Sequence, residues 1–225
     1  MKFKTFHDLV DAAEKQSRAQ QEYNEDPCAE TFENLNLSLS KKDEKLWIIS
    51  NDLIKQFNQD FVDLALCPLI QTHAVGSVDE FYASCEWCLV LSGGVGSGKT
   101  IAAVNCLIQH VTQRDVDWKI LFAVDIACAP IFGKEGEEYF KPIAESEFLL
   151  IDDLGSEIDT PGSRAFISRL IDFRHRRDLR TVITTNLAMP AWIPRYGSRI
   201  VDRVTDNSAV VELPNKSMRG QKWAK

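Results

Sequence analysis

Eight residues, GGVGSGKT from Gly93 to Thr100, combine a permissive backbone, one ammonium and one hydroxyl in the order a bound phosphate requires. Glycines reach backbone angles other residues avoid, so successive N–H groups of such a loop converge on one anion. Gly93, Gly94, Val95, Gly96, Ser97 and Gly98 supply that loop; Lys99 supplies a cation for the outer phosphates and Thr100 a hydroxyl for a divalent metal. An apolar run, WCLVLSG, precedes the loop and a helical pattern from Lys99 follows it, which points the positive end of a helix at the same anion. Strand, loop and helix in this order form the Walker A pattern of nucleotide binding.

A second candidate is FLLIDDLGSE, residues 148 to 157. Four apolar residues read as a buried strand, with two carboxylates emerging at its C-terminal end, where ligands sit on open parallel sheets. Adjacent acids closing a buried strand are costly without a cation. Asp152 is expected to hold Mg²⁺, directly or through water, and Asp153 to orient and activate a water molecule. A third stretch, RTVITTNL, ends in Thr185 and Asn186, neutral groups suited to holding that water near a γ-phosphate; a strand-ending Asx turn would also account for them.

The elements that must position these groups follow from apolar periodicity. Strand-like runs (WCLVLSG, KILFAVDI, EFLLIDDLG, RTVITTNL, SAVVELP) alternate with helical stretches at Lys99 to about Arg114, 129–144 and 163–177. That alternation predicts a parallel sheet covered by helices on both faces. Upstream, residues 5–23 carry Phe6, Leu9, Val10 and Ala13 at helical spacing, and a helix is expected over 43–66 from Leu46, Ile49, Leu53, Phe57, Phe61 and Leu64. A short helix through VDEFYASC is capped by Ser77. The change of rhythm divides the chain into an N-terminal helical region, 1–70, and an α/β core, 71–225.

Composition bounds the rest. With 225 residues, 44% hydrophobic and 26% charged, the chain suits one substantial soluble domain plus an appendage. It has neither an apolar run long enough for a membrane span nor a secretory signal, so the reading is cytoplasmic with reduced cysteines. The net charge of −7 is unevenly spread: residues 161–225 hold 13 Lys and Arg against 5 Asp and Glu, whereas the first 160 hold 13 against 28. A basic C-terminal third permits an anionic partner on one face.

Taken together these stretches resemble the AAA+ ATPases, in the clade of DnaC/DnaI-type helicase loaders and IstB-type transposition helpers, over roughly residues 70–220. The resemblance implies a five-stranded parallel sheet ordered 5-1-4-3-2, ATP at a subunit interface of a homo-oligomer, and an arginine supplied in trans. It makes Asn186 the sensor on its strand. YGSRIVDRV is similar to the clade's arginine-finger segment, offering Arg203 and, as competitor, Arg199; a surface salt bridge from Arg203 to Asp202 or Asp206 is the plainer alternative. NKSMRGQ is similar to the clade's ending and offers Arg219 to the nucleotide. Asp153 stands where AAA+ proteins usually have Glu, which implies slow hydrolysis, and the short stretch after the sensor strand implies a reduced or absent C-terminal lid.

The implied role is a DNA replication helicase loader gripping a replicative helicase. The alternative within the clade is an IstB-like transposition helper; outside it, a P-loop small-molecule kinase would need an acceptor insertion that the sequence does not display. RHRRDLR gathers Arg174, Arg176, Arg177 and Arg180, expected either to meet single-stranded DNA or to complement a helix C-terminus. Cys85 and Cys88 form a Cys-x-x-Cys pair without a matching second pair, so Cys88 is read as opening a buried strand and not as a zinc ligand.

Overall fold

The structure is a computed structural model and describes residues 41–57, 65, 80–81, 84–113 and 116–214. It divides into two compact units, Met1–Ile70 and Gln71–Lys225. In the first, helix α1 (Lys41–Gln56) buries Ile49 and Leu53, one turn apart, and exposes Ile48. The helix expected over 5–23 lies outside the described residues, as does most of the stretch beyond Phe57.

The second unit is built on strands β1 (Cys88–Ser92), β2 (Trp118–Phe122), β3 (Phe148–Leu154), β4 (Arg180–Thr185) and β5 (Ser208–Glu212). They form a five-stranded sheet in the order β2-β3-β4-β1-β5, every neighbouring pair parallel, which is the expected 5-1-4-3-2 order. Between them run α2 (Lys99–Gln113), α3 (Gly133–Glu145), α4 (Pro161–His175), α5 (Trp192–Tyr196) and α6 (Ser198–Thr205). The connection from β1 crosses the sheet one way and that from its neighbour β4 the other. Right-handed crossovers therefore put α2 on one face and α3 to α6 on the opposite face. The crevice between β1 and β4 is the reversal point at which such sheets bind ligands.

Residue alternation along the strands shows the same two layers. Cys88, Val90, Leu149, Ile151 and Ile183 join Phe140, Phe166, Leu170, Trp192 and Ile200 in one buried cluster. The intervening residues face α2, where the His110 ring lies 4.9 Å from that of Phe148. The run KILFAVDI is not all strand. β2 stops at Phe122 and Ala123–Cys128 coil into a 3₁₀ turn, because Ala123 and Ile126, three residues apart, both bury on one side of it. Helix α4 starts at Pro161 behind a reciprocal cap in which Ser163 N donates to Thr160 Oγ1 (3.1 Å) and Thr160 N to Ser163 Oγ (3.0 Å).

One arginine of the basic cluster is a core residue. Arg174 is fully buried; its guanidinium donates to Thr181 Oγ1 (2.8 Å), Ala144 O (3.0 Å), Ser146 O (2.8 Å) and Arg180 O (2.7 Å), and burial pushes its pKa down to about 9. It thus ties the end of α3 to the start of β4 and has no surface to offer DNA, which removes it from the expected interface. Arg180 turns onto Glu86 O and Ser84 O and stacks over Phe81, while Arg176 and Arg177 are exposed. Replacing Arg174 by Met should leave those carbonyl oxygens unsatisfied and cost about 3 kcal/mol in chemical denaturation. An unchanged denaturation midpoint would show that the guanidinium is dispensable.

Candidate nucleotide site

The glycine loop leaves β1 through Gly93, at φ +148°, and takes positive φ again at Gly96 and Gly98. A side chain at Gly93 would run 2.8 Å from Leu213 O, so the loop lies against the chain leaving β5 as well as against its own helix. The first turn of α2 carries no acidic residue, which keeps its N-terminus electropositive. Lys99 opens that helix nearly buried, and its ammonium donates to Gly93 O (2.9 Å), Gly94 O (2.8 Å) and Asn186 Oδ1 (2.9 Å). Burial lowers its pKa, while the nearby Asp153 and Asp152 charges pull it up.

The acid pair owes its arrangement to a break in strand register. Along β3 and β4 the pairs run from Phe148↔Arg180 to Ile151↔Ile183, then skip to Leu154↔Thr185. A regular strand would send Asp152 and Asp153 to opposite faces. The extra residue forms a bulge, and Asp153 takes φ +56°, a left-handed angle that Asp tolerates better than most side chains. Its carboxylate thereby accepts a hydrogen bond from Asn186 Nδ2 at 2.5 Å. Asp152 stays on the α2 face, buried, accepting from Thr184 Oγ1 (2.7 Å) and hydrogen-bonded to Thr100. Burial raises its pKa, against the pull of those two hydroxyls and of Lys99.

The ends of β1, β3 and β4 thus bring Lys99, Thr100, Asp152, Asp153 and Asn186 together. The donor set fits a magnesium nucleotide. Thr100 and Asp152 are already hydrogen-bonded and offer a hydroxyl and a carboxylate, the hard oxygen donors that Mg²⁺ takes, while the ammonium rests on carbonyl oxygens that phosphate oxygens can replace.

Other expected residues stand apart. Arg203 Nη1 lies 2.6 Å from Asp172 Oδ1 and Arg199 Nη2 lies 2.7 Å from Asp172 Oδ2, so both pair with α4 and neither with Asp202 or Asp206. The Arg203–Asp172 contact is buried but not aligned as a hydrogen bond, whereas the Arg199 side chain is 71% exposed. Arg219 lies outside the described residues. Cys88 opens β1 fully buried, Cys85 is exposed, and among the described residues no group of three or more His, Cys, Asp or Glu is placed to share a metal.

Two features escaped sequence reasoning. Thr184, not Thr185, serves the acids: it also accepts from Asp153 N at 2.8 Å, while Thr185 faces the other layer and donates to Leu154 O. Strand alternation counted back from Asn186 would have found it. The other is Glu157, buried, which accepts from Gly155 N, Arg195 and Tyr196. Its two side-chain partners lie 38 and 39 residues on, and no local spacing announces them.

No protein-family model matches the chain. The uncharacterized protein YdaV of Escherichia coli (strain K12) is 30% identical over 146 residues, covering 60% of this chain; the chain spans 56% of the length of that relative. Among solved structures, the DnaC helicase loader superposes with a TM-score of 0.56 at 24% identity, covering 64% of this chain and 90% of that one. DnaI superposes at 0.57 and 20% identity, covering 69% and 89%, and AMPPCP-bound DnaA from Aquifex aeolicus at 0.53 and 17%, covering 61% and 44%. This is the AAA+ fold. Among the described residues of the chain, no helix is long and apolar enough to cross a membrane.

Asp152 gives the AAA+ core a testable cost. Because its folded pKa lies above the ordinary 3.8, the nucleotide-free fold is favoured while the carboxyl is protonated and loses that advantage as pH rises through the raised value. Asp152→Asn should therefore melt above wild type at pH 7 without nucleotide. That gain should shrink as pH falls toward 3.8. A difference independent of pH would contradict the assignment.

Proposed function

We propose that the chain is a slow ATPase of the helicase-loader type, in which ATP and Mg²⁺ set the strength of its contacts with partners. The observation supporting this most directly is the meeting of Lys99, Thr100, Asp152, Asp153 and Asn186 at the reversal point of the sheet. In this reading the loop amides and Lys99 hold the outer phosphates, while Thr100 and Asp152 ligate Mg²⁺, which offsets charge on the transferring phosphoryl group. Asp153 and Asn186, already hydrogen-bonded, place a water in line with the γ-phosphate, and Asp153 takes its proton as ADP leaves. With a shorter acid than Glu in that place, turnover is slow, as suits a switch.

Subunits associate in this reading through ATP, each receiving an arginine, Arg203 or Arg199, from its neighbour; Arg219 contacts the nucleotide. Residues 1–70 grip a replicative helicase, and Arg176 and Arg177 are left to meet single-stranded DNA. Similarity to a structure of a helicase loader supports the choice of partner. Lys99→Ala should abolish ATP binding, whereas Asp153→Asn should retain it and lose turnover. Captured on Asp153→Asn protein with ATP from its native host, a hexameric helicase is the expected partner. Recovery of a transposase would favour the IstB-like reading, and equal ATP affinity for Lys99→Ala and wild type would overturn the site.

A further inference from the structure

Glu157 occupies a position that neither phosphate binding nor water activation uses. It lies four residues beyond Asp153 and its side chain is 2% exposed. One carboxylate oxygen, Oε2, accepts from Gly155 N at 2.8 Å and so fixes the turn that closes β3. That turn is also bound to the acid, since Ser156 N donates to Asp153 O at 3.0 Å. It is pressed against the residue after the sensor as well, because a side chain at Gly155 (φ +106°) would run 2.6 Å from Leu187 Cδ1. The other oxygen, Oε1, holds helix α5: Arg195 donates through Nε (3.0 Å) and Nη2 (2.9 Å), and the Tyr196 hydroxyl donates to the same atom. Arg195 also donates to the Glu157 main-chain oxygen at 2.6 Å. Burial, the largest influence, works against the Arg195 charge, but Glu157 and Tyr196 together outweigh it and raise its pKa.

Beyond Tyr196 the chain turns at Gly197, φ +87°, straight into α6, which carries Arg199 and Arg203. α6 packs on the core through buried Ile200 and Val204 and has two polar attachments besides. One is Asp172 of α4, which both arginines clasp; the other is Glu157, which belongs to the acid turn. A carboxylate buried this deeply is tolerated because each oxygen is occupied, and removing its charge loosens α5 before it disturbs β3, which the sheet holds independently.

Building on the reading that an arginine crosses to a neighbouring subunit, we infer that Glu157 is a positioning residue that couples the Asp153 turn to that arginine's placement. Its effect falls on the neighbour's site and not on its own. Whatever moves the turn when the γ-phosphate leaves is passed through one carboxylate to α5, across Gly197 and into α6. The interface thereby senses the nucleotide of the subunit that donates the arginine.

Subunit mixing tests this. Glu157→Gln keeps the shape and removes the charge; Tyr196→Phe removes one donor and guards against a Glu157→Gln chain that does not fold. Each variant alone should bind ATP within about twofold of wild type yet turn over about a hundredfold more slowly, the scale of a misplacement near 1 Å. Mixed with Asp153→Asn protein, which cannot hydrolyse but donates a well-placed arginine, each should regain turnover that neither component shows alone. The double variant Arg199→Ala/Arg203→Ala, mixed with Asp153→Asn, is the control and should regain it too. If the control recovers and the Glu157 and Tyr196 variants do not, the carboxylate serves its own site and the inference is overturned. If the control itself fails to recover, or wild type shows no turnover, the trans-arginine reading falls and takes the inference with it. Wild-type turnover in both variants alone would also overturn it.

Discussion

A nearly buried ammonium beside one buried and one half-buried carboxylate is the constraint around which this core is organised. Lys99 has almost no contact with solvent; burial lowers its pKa, the proximity of Asp153 and Asp152 opposes that, and three oxygens from the glycine loop and Asn186 accept its hydrogen bonds. No single element could assemble such a cluster. It needs the N-terminus of one helix and the ends of three strands that are remote in sequence, which a parallel sheet with a reversal of connection direction supplies. Asp152 is the tense member: burial raises its pKa, so its ionised form destabilises the fold until a cation answers it.

The site also depends on one local irregularity. Had β3 stayed regular, Asp153 would have pointed into the largely apolar layer of Phe166 and Leu170, where an unpaired carboxylate is costly. The bulge and the positive φ of Asp153 turn it toward Asn186 instead. The same turn then continues into Glu157, so the strain of presenting the acid and the anchoring of α5 are settled within a few residues.

Much of this was legible in the sequence. The glycine loop, the apolar run before the acid pair and the alternation of strands with helices each carry a local signature, and the sheet order followed from the resemblance those signatures support. What stayed hidden shares one physical cause, contact between residues far apart in the chain. Arg174 sits where a helix C-terminus favours cations, so its sequence context suggests a solvated charge; only the fold reveals carbonyl oxygens from α3 and β4 converging on it. Arg203 has acids beside it in sequence yet pairs with Asp172, a full helix away. Thr185 was read for Thr184 because facing depends on parity along a strand, and the last residue before Asn186 looks equally suitable without it.

The central claim is that this cluster recognises the phosphates of a nucleotide. Titration calorimetry of the intact protein with ATP, ADP and AMP in magnesium tests it most directly. One site per chain is expected, binding ATP and ADP far more tightly than AMP, with the affinity for ATP falling when magnesium is withdrawn. Equal affinity for all three nucleotides, or none for ATP, would contradict it.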